Sequence, residues 1–250
     1  DSVDNAKLEI GTTTIFFEKG IKIDNNISEK KIDILQTKAG SRAFIIGGEL
    51  KNILIDFQGL NIVKNTKNYD LEKFPENFPI NSSGLTGCLS FINIKLSNVD
   101  IESDYSSCED SINFINASGN VNNILIKNAF SDALDVDFSN LSFKNIIVNS
   151  ARNDCVDFSA GNYQLDYLEL NKCGDKGLSI GEKSNITLST IDVINANIGI
   201  AVKDSSILTL GKANLKNLET CVSAYNKKQE YDGGILEMKE FNCENFYTKA

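Results

Sequence analysis

The chain repeats with a period of 22 residues, and this period restricts its fold more than any other feature of the sequence. Two apolar columns, separated by two residues within each row, keep that spacing over six consecutive rows. The first column contains Ile112, Leu134, Val156, Leu178, Ile200 and Val222, and the second contains Phe114, Val136, Phe158, Ile180, Val202 and Ala224. Apolar residues at every second position are typical of a β-strand, since a helix would place them three and four residues apart.

The rows predict an all-β fold: a right-handed parallel β-helix with coils of about 22 residues and three short strands per coil. We expect a single domain over 1–250, with an N-terminal cap at 1–41, coils at 42–224 and a last coil or C-terminal cap at 225–250. Residues 63–87 contain both prolines in a polar stretch, which predicts a long loop that leaves the coils. The many asparagines fit tight turns between strands, because asparagine tolerates left-handed backbone.

The composition excludes several kinds of active site and partner. The chain contains no His, so no Ser-His-Asp triad, Cys-His pair or histidine metal ligand can form within it. A formal net charge of −9 disfavours nucleic acid as a partner, because a phosphate backbone requires a basic face. No apolar run approaches the roughly 18 residues of a membrane-spanning helix, and we therefore expect no membrane insertion.

The six cysteines are widely spread, and none of their spacings is typical of a zinc site. Their density is also far below that of small domains held together by disulfides. We therefore expect buried free thiols, with one or more disulfides as the alternative. The positions concerned are Cys88, Cys108, Cys155, Cys173, Cys221 and Cys243.

Aspartates recur at matching positions of neighbouring rows. Asp135 and Asp157 each lie between apolar residues that face inward, so both should point outward and stack on adjacent coils. Like charges placed directly opposite one another destabilise a sheet by a few tenths to about 1 kcal/mol per pair. Ser179 and Ala201 follow in the same column, so the column supplies no cation of its own.

A second acidic column stands at the start of the same strands. It contains Asp132 and Asp154, and Lys176 follows one row later, while Asp137 extends the acidic face beyond Asp135. Between 131 and 160 the cations are Lys144 and Arg152, and Arg152 and Lys176 flank the acidic face. Together these residues are the candidates for a functional site.

The stacked acids are open to three interpretations. In the first, Ca²⁺ bridges carboxylate ligands drawn from both columns. In the second, one carboxyl of the Asp135/Asp157 pair is protonated, and the pair acts as acid and base in glycoside hydrolysis. In the third, the acids form a solvated face, and Asp132 and Asp154 bond to the backbone at the start of each strand. The metal candidates are Asp132, Asp135, Asp137, Asp154 and Asp157.

Basic and aromatic residues near the acids have two interpretations each. Lys176 and Arg152 are candidates for a catalytic base or a clamp on a sugar carboxylate, or else are local charge partners of the acids. Tyr163 and Tyr167 are candidates for a sugar-stacking platform, or else cover the core.

The rungs and asparagine turns of residues 42–247 resemble the right-handed parallel β-helix superfamily that includes pectate lyases, polygalacturonases and alginate epimerases. The acidic stretches SDALDVDFSN, NDCVDFSAG and GDKGLSIGEKS, within 131–184, are similar to β-helix domains of bacterial surface and secreted proteins. The Gly-His-Gly element of a polygalacturonase and the histidine of an alginate epimerase are absent. Pectate lyase chemistry, with carboxylates that bind calcium and an Arg or Lys base, is compatible with a chain without histidine.

The resemblance implies a polysaccharide-directed protein outside the cell or at its surface. In its catalytic form this is a calcium-assisted lyase or hydrolase that uses Asp135, Asp157, Lys176 and Arg152. The alternative is a non-catalytic adhesin or structural stalk. A groove along the acidic face, walled by the loop at 63–87, would favour the enzyme, and a flat face would favour the stalk.

Overall fold

The computed structural model describes residues 6–26, 28–61 and 84–246, and the secondary structure found in them is entirely β. Stacked parallel coils about 22 residues apart form a β-solenoid of about 8 turns, so the predicted β-helix is confirmed. Its strands are β1 Ala6–Ile10, β2 Thr13–Phe17, β3 Ile21–Asn26, β4 Lys31–Gln36, β5 Ala43–Ile46, β6 Glu49–Lys51, β7 Leu54–Gln58, β8 Gly87–Ile92, β9 Lys95–Asp104, β10 Asp110–Ile115, β11 Ser118–Ala129, β12 Asp132–Asp137, β13 Asn140–Ala151, β14 Val156–Ser159, β15 Asn162–Cys173, β16 Lys176–Gly181, β17 Asn185–Lys203, β18 Ile207–Tyr225 and β19 Ile235–Phe246.

The strand register follows the apolar columns of the sequence. Ile112 pairs with Leu134, Leu134 with Val156, and Val156 with Leu178, all in parallel strands. These side chains are fully buried and form the centre of the core. Aromatic residues stack between rungs as well, with the ring centroids of Phe91 and Phe114 4.7 Å apart.

The first coil has the three predicted short strands, β5, β6 and β7, whereas strands are joined in later coils. The second and third predicted strands of a coil form one bent strand of 12 residues in β11, β13 and β15. In β17 and β18 the pairing continues through all three sides over 19 residues. Hydrogen bonds between rungs continue around these corners, so no turn separates the strands.

The two ends of the solenoid differ. At the N-terminal end β1 and β2 form an antiparallel hairpin, as do β3 and β4, and β2 continues antiparallel onto β5. At the other end β19 pairs in parallel with β18 and forms the last rung. Phe241, which stacks over the buried Ala213, is 51% exposed there.

All six cysteines form disulfides, so the expectation of free thiols is wrong. The bonds join Cys88 to Cys108, Cys155 to Cys173 and Cys221 to Cys243, and no cysteine is left free. Each pair is separated by 18 to 22 residues, which is about one coil. The chain therefore makes about one turn of the solenoid between a cysteine and its partner.

Most of the predicted loop at 63–87 lies outside the described residues, so the groove that it was expected to wall is not defined by them. Gly87 already belongs to β8. Within the described ranges, no helix is long and apolar enough to cross a membrane.

Candidate functional site

The candidate site lies on the outer surface of one side of the solenoid, which we call the first sheet. It is formed by β5, β8, β10, β12, β14, β16 and the C-terminal parts of β17 and β18. Along each strand the apolar residues enter the core, and the residues between them face outward. In β12 this alternation buries Leu134 and Val136 and leaves Asp135 and Asp137 half-buried on the outer surface.

The structure brings Asp135 and Asp157 together as neighbours on adjacent rungs. They are register partners in β12 and β14, so their backbones lie about 4.8 Å apart, the spacing of hydrogen-bonded strands. Asn113, one rung before Asp135, donates from Nδ2 to Asp135 Oδ2 at 3.2 Å. Asp137 is hydrogen-bonded to the side chains of Asn113 and Asp135. We call Asp135 and Asp157 the acid pair.

The aspartates of the second acidic column, at the start of the strands, accept hydrogen bonds from backbone amides. Asp132 Oδ1 accepts a hydrogen bond from the Asp154 amide at 2.8 Å, and Asp154 Oδ1 accepts one from the Lys176 amide at 3.0 Å. Lys176 Nζ lies 3.4 Å from Asp154 and is hydrogen-bonded to Asp175. These contacts link one rung to the next, which was the structural interpretation of Asp132 and Asp154.

A lysine that the sequence analysis overlooked supplies a cation to the acid pair. Lys203 Nζ donates to Ser179 Oγ at 2.7 Å and lies 3.9 Å from Asp157 Oδ2, and Ser179 is hydrogen-bonded to Asp157. Lys203 itself is only 5% exposed. It stands in the column of Asp137, next to that of the acid pair, and its long side chain crosses between the columns. A search of neighbouring columns, rather than of the Asp135 column alone, would have found it.

Burial on the first sheet keeps several carboxyl groups from ionising at their usual pH. Burial raises the pKa of Asp135 well above its usual range, and the charge of Asp110 raises it further. Burial also raises the pKa of Asp157, to about 6, against the opposing charge of Lys203. The two members of the acid pair therefore differ, because one of them has a lysine beside it.

Asp110 extends the acidic surface one rung further. It is the register partner of Asp132 and is almost fully buried. Burial raises its pKa to about 8, although a hydrogen bond with Thr86 opposes the rise. Burial likewise raises the pKa of Asp132 to about 6. Asp110 lies outside the acidic stretches at 131–184 and was not predicted, although it stands 22 residues before Asp132 in the same column.

Arg152 and the two tyrosines do not join the acid pair. Arg152 is exposed, with its guanidinium carbon 5.0 Å from the centroid of the Phe130 ring. Tyr163 is buried, and its hydroxyl donates to the carbonyl oxygens of Val136 and Ser159. Tyr167 donates to Asp192 Oδ2 at 2.6 Å, outside the first sheet. Tyr163 therefore covers the core, as its structural interpretation stated.

The aspartates do not form a ready-made cation site. Across 6–26, 28–61 and 84–246, no three His, Cys, Asp or Glu side chains are arranged to hold a metal ion. Calcium requires six to eight oxygen ligands, whereas Asp157 has a lysine ammonium beside it. These residues fit proton chemistry between carboxyl groups better than they fit calcium.

Comparison with known proteins gave no relative: no family model, curated protein or solved structure matches this chain.

Proposed function

We propose that this chain is a polysaccharide-directed protein that hydrolyses glycosidic bonds with the acid pair. The observation that carries the proposal is the difference between the two aspartates, which stack on adjacent rungs, while of the two Asp157 alone has a lysine ammonium at 3.9 Å. Glycoside hydrolysis requires one protonated and one ionised carboxyl group on either side of the bond. Superfamily resemblance to pectate lyases and their relatives supports a polysaccharide as the substrate.

The environments of the two aspartates assign their roles. Asp135, with its pKa well above the usual range, is the proton donor to the leaving oxygen. Asp157 is the carboxylate that acts on the sugar, because Lys203 and Ser179 favour its ionised form. Asn113 and Asp137 orient the Asp135 carboxyl through their hydrogen bonds. Lys203 is a positioning residue, since it acts through Ser179 and Asp157.

The rung spacing also suggests how the reaction proceeds. Retaining glycosidases hold their carboxyl groups about 5–5.5 Å apart, and inverting enzymes leave about 6.5–9.5 Å for a water molecule. The backbones of Asp135 and Asp157 lie about 4.8 Å apart, which allows their carboxyl groups to approach to the retaining distance. In this mechanism Asp157 attacks the anomeric carbon as the glycosidic bond breaks, and Asp135 protonates the leaving oxygen. Asp135 then activates the water that releases the sugar from Asp157.

The three disulfides support a location outside the cell or at its surface, since disulfides persist in oxidising compartments. Calcium assistance stays a prediction from the stacked acids and the resemblance, and no step of the proposed mechanism uses it.

The test is release of reducing ends from a panel of neutral and acidic polysaccharides by the wild-type chain, Asp135→Asn and Asp157→Asn. Asp166→Asn, at an exposed position of β15, is the matched control. We expect each acid-pair variant to lose at least about 100-fold in rate, the contribution of a positioned acid or base, and the control to keep its rate. Activity should also survive a calcium chelator.

Three results would contradict this function in different ways. An unsaturated product, with activity lost on chelation, would indicate a calcium-dependent lyase. Hydrolysis unchanged in both acid-pair variants would place the chemistry elsewhere. No cleavage of any polysaccharide would favour the stalk or adhesin, which the disulfide-linked coils also suit.

A further inference from the structure

One corner of the solenoid adopts the same unusual backbone on seven successive rungs. The residue after each strand of the first sheet has a left-handed conformation, with φ between 51° and 70°. Glycine, asparagine and aspartate tolerate this region best. The seven residues are Gly47, Asn93, Asn116, Phe138, Ala160, Glu182 and Asp204.

Phe138, Ala160 and Glu182 depart from these residue types, and Phe138 is the one of the three with a large apolar side chain. Asn116 Nδ2 donates to Asn93 Oδ1 at 2.7 Å, so the asparagines below it form a ladder that a third asparagine could extend. Instead the chain places a phenylalanine at φ 51°, and its ring is 61% exposed, more than any other large apolar side chain in the described part of the protein. The position thus carries both backbone strain and exposed apolar surface, a combination that points to a function.

The ring borders a groove of about 460 Å³ with the chemistry of a saccharide site. Its uncharged polar lining residues are Asn93, Asn116, Asn140 and Ser118, whose side chains carry amides and a hydroxyl. Lys95, the charged residue of the lining, lies 3.4 Å from Glu49, so its charge is balanced. An aromatic face suits the apolar face of a sugar ring, and neutral amides suit its hydroxyl groups.

We propose that Phe138 is a stacking platform that holds a neutral saccharide chain in this groove, beside the acid pair. Phe138 directly follows Asp137, which is hydrogen-bonded to Asp135, so a chain bound here can continue onto the acidic surface. A neutral chain fits better than an anionic one, because the adjoining surface is acidic. The inference rests on the proposed function and names its class of substrate.

The experiment is native gel electrophoresis through soluble neutral polysaccharides: β-glucan, galactomannan, arabinoxylan and xyloglucan. All proteins carry Asp135→Asn, so that the polysaccharide is not degraded. We expect at least one of the four to retard the parent protein. Phe138→Asn should weaken its apparent affinity about tenfold, the contribution of one aromatic contact, and Phe138→Tyr should retain it. Phe241→Asn removes another exposed phenylalanine, at the far end of the solenoid, and should change nothing.

Thermal unfolding provides a second test, because a structural role for Phe138 would change the sign of the expected shift in melting temperature. Phe138→Asn should raise the melting temperature by about 2–4 °C, because asparagine suits the left-handed corner. A lower melting temperature would mean that the ring supports the fold, and would overturn the inference. A change of oligomeric state in Phe138→Asn would overturn it too, by showing that the ring binds a second copy of the chain.

The binding results separate this inference from the proposed hydrolysis. Binding that needs Phe138, from a chain whose wild type cleaves nothing, supports the platform and contradicts the enzyme. Cleavage that depends on the acid pair, with full binding by Phe138→Asn, contradicts the platform alone. The neutral-saccharide assignment fails if none of the four polysaccharides retards the protein, or if polygalacturonate retards it instead.

Discussion

Replacement of Lys203 by methionine should raise the pKa of Asp157. The two charged groups lie 3.9 Å apart, and their attraction at an effective dielectric constant of about 20 is about 4 kcal/mol. That energy corresponds to about 3 pH units at 1.36 kcal/mol each. The Asp157 side chain is 27% exposed, and water screens part of the attraction. We therefore expect the Asp157 pKa to rise from about 6 to about 7–9.

The shift can be followed by two measurements. Carbon-detected NMR of the aspartate carboxyl groups gives the Asp157 pKa directly. In the proposed mechanism Asp157 must be ionised, so the rate of polysaccharide cleavage should rise with pH through the same pKa, and this acid limb should move upward in Lys203→Met.

The rise in the Asp157 pKa should also lower the free energy of unfolding of Lys203→Met at high pH. When folding raises the pKa of a carboxyl group, the folded state favours the protonated form, and ionisation of the group lowers the free energy of unfolding. Stability is therefore greatest below the unfolded pKa of about 3.9 and decreases as pH rises through the folded pKa. At pH 8 Lys203→Met should be less stable than the wild type by about 1–3 kcal/mol, the cost of moving the Asp157 pKa from about 6 to about 7–9.

Lys144→Met, at an exposed position of β13, is the matched control and should change neither the Asp157 pKa nor the pH dependence. An Asp157 pKa that stays near 6 in Lys203→Met would refute the reasoning, since Lys203 would then contribute nothing to the ionisation of Asp157.

Three further outcomes follow from the structure. Urea unfolding of the wild type should show a free energy of unfolding that falls from pH 4 to pH 8. Asp157 alone should contribute about 3 kcal/mol, because its pKa lies about 2 units above the unfolded value. A free energy of unfolding that does not change with pH would contradict the burial of these acids. Replacement of both Cys155 and Cys173 by alanine should cost about 3 kcal/mol, the value for a closed loop of this length, and an unchanged urea midpoint would argue against the disulfide. The first product of cleavage should keep the anomeric configuration of the substrate, as judged by proton NMR during the reaction, whereas inversion would exclude attack by Asp157.

The solenoid was predictable because residues 22 apart in the sequence are register partners on neighbouring rungs. Leu134 and Val156 are 22 residues apart and pair directly, and the same count places Asp135 beside Asp157. One rung is stacked on the next with the same period, so a spacing in sequence becomes a contact in space. Only the division of a coil into strands was misjudged, because apolar spacing does not reveal whether hydrogen bonds continue around a corner.

Features that connect different columns could not be read in this way. Lys203 reaches Ser179 and Asp157 from a neighbouring column, and the length of a lysine side chain makes several such contacts possible from sequence alone. Cys155 lies at the start of a coil, whereas its partner Cys173 lies near the end of the same coil and in another column. Phe138 was missed for another reason: the tight turns were assigned to asparagines, and the other residues at the left-handed corner were not considered.

The disulfides also determine how the solenoid would behave as a mechanical element. Each bond joins two points about one coil apart along the chain, at separations of 20, 18 and 22 residues. A force applied to the two chain ends could peel rungs away one after another, but it could not lengthen the segment inside a covalent ring. At roughly 3.4 Å per extended residue, the three rings hold back about 200 Å of contour length until they are reduced. The protein is in this respect a tether whose maximum extension depends on the redox state of its surroundings.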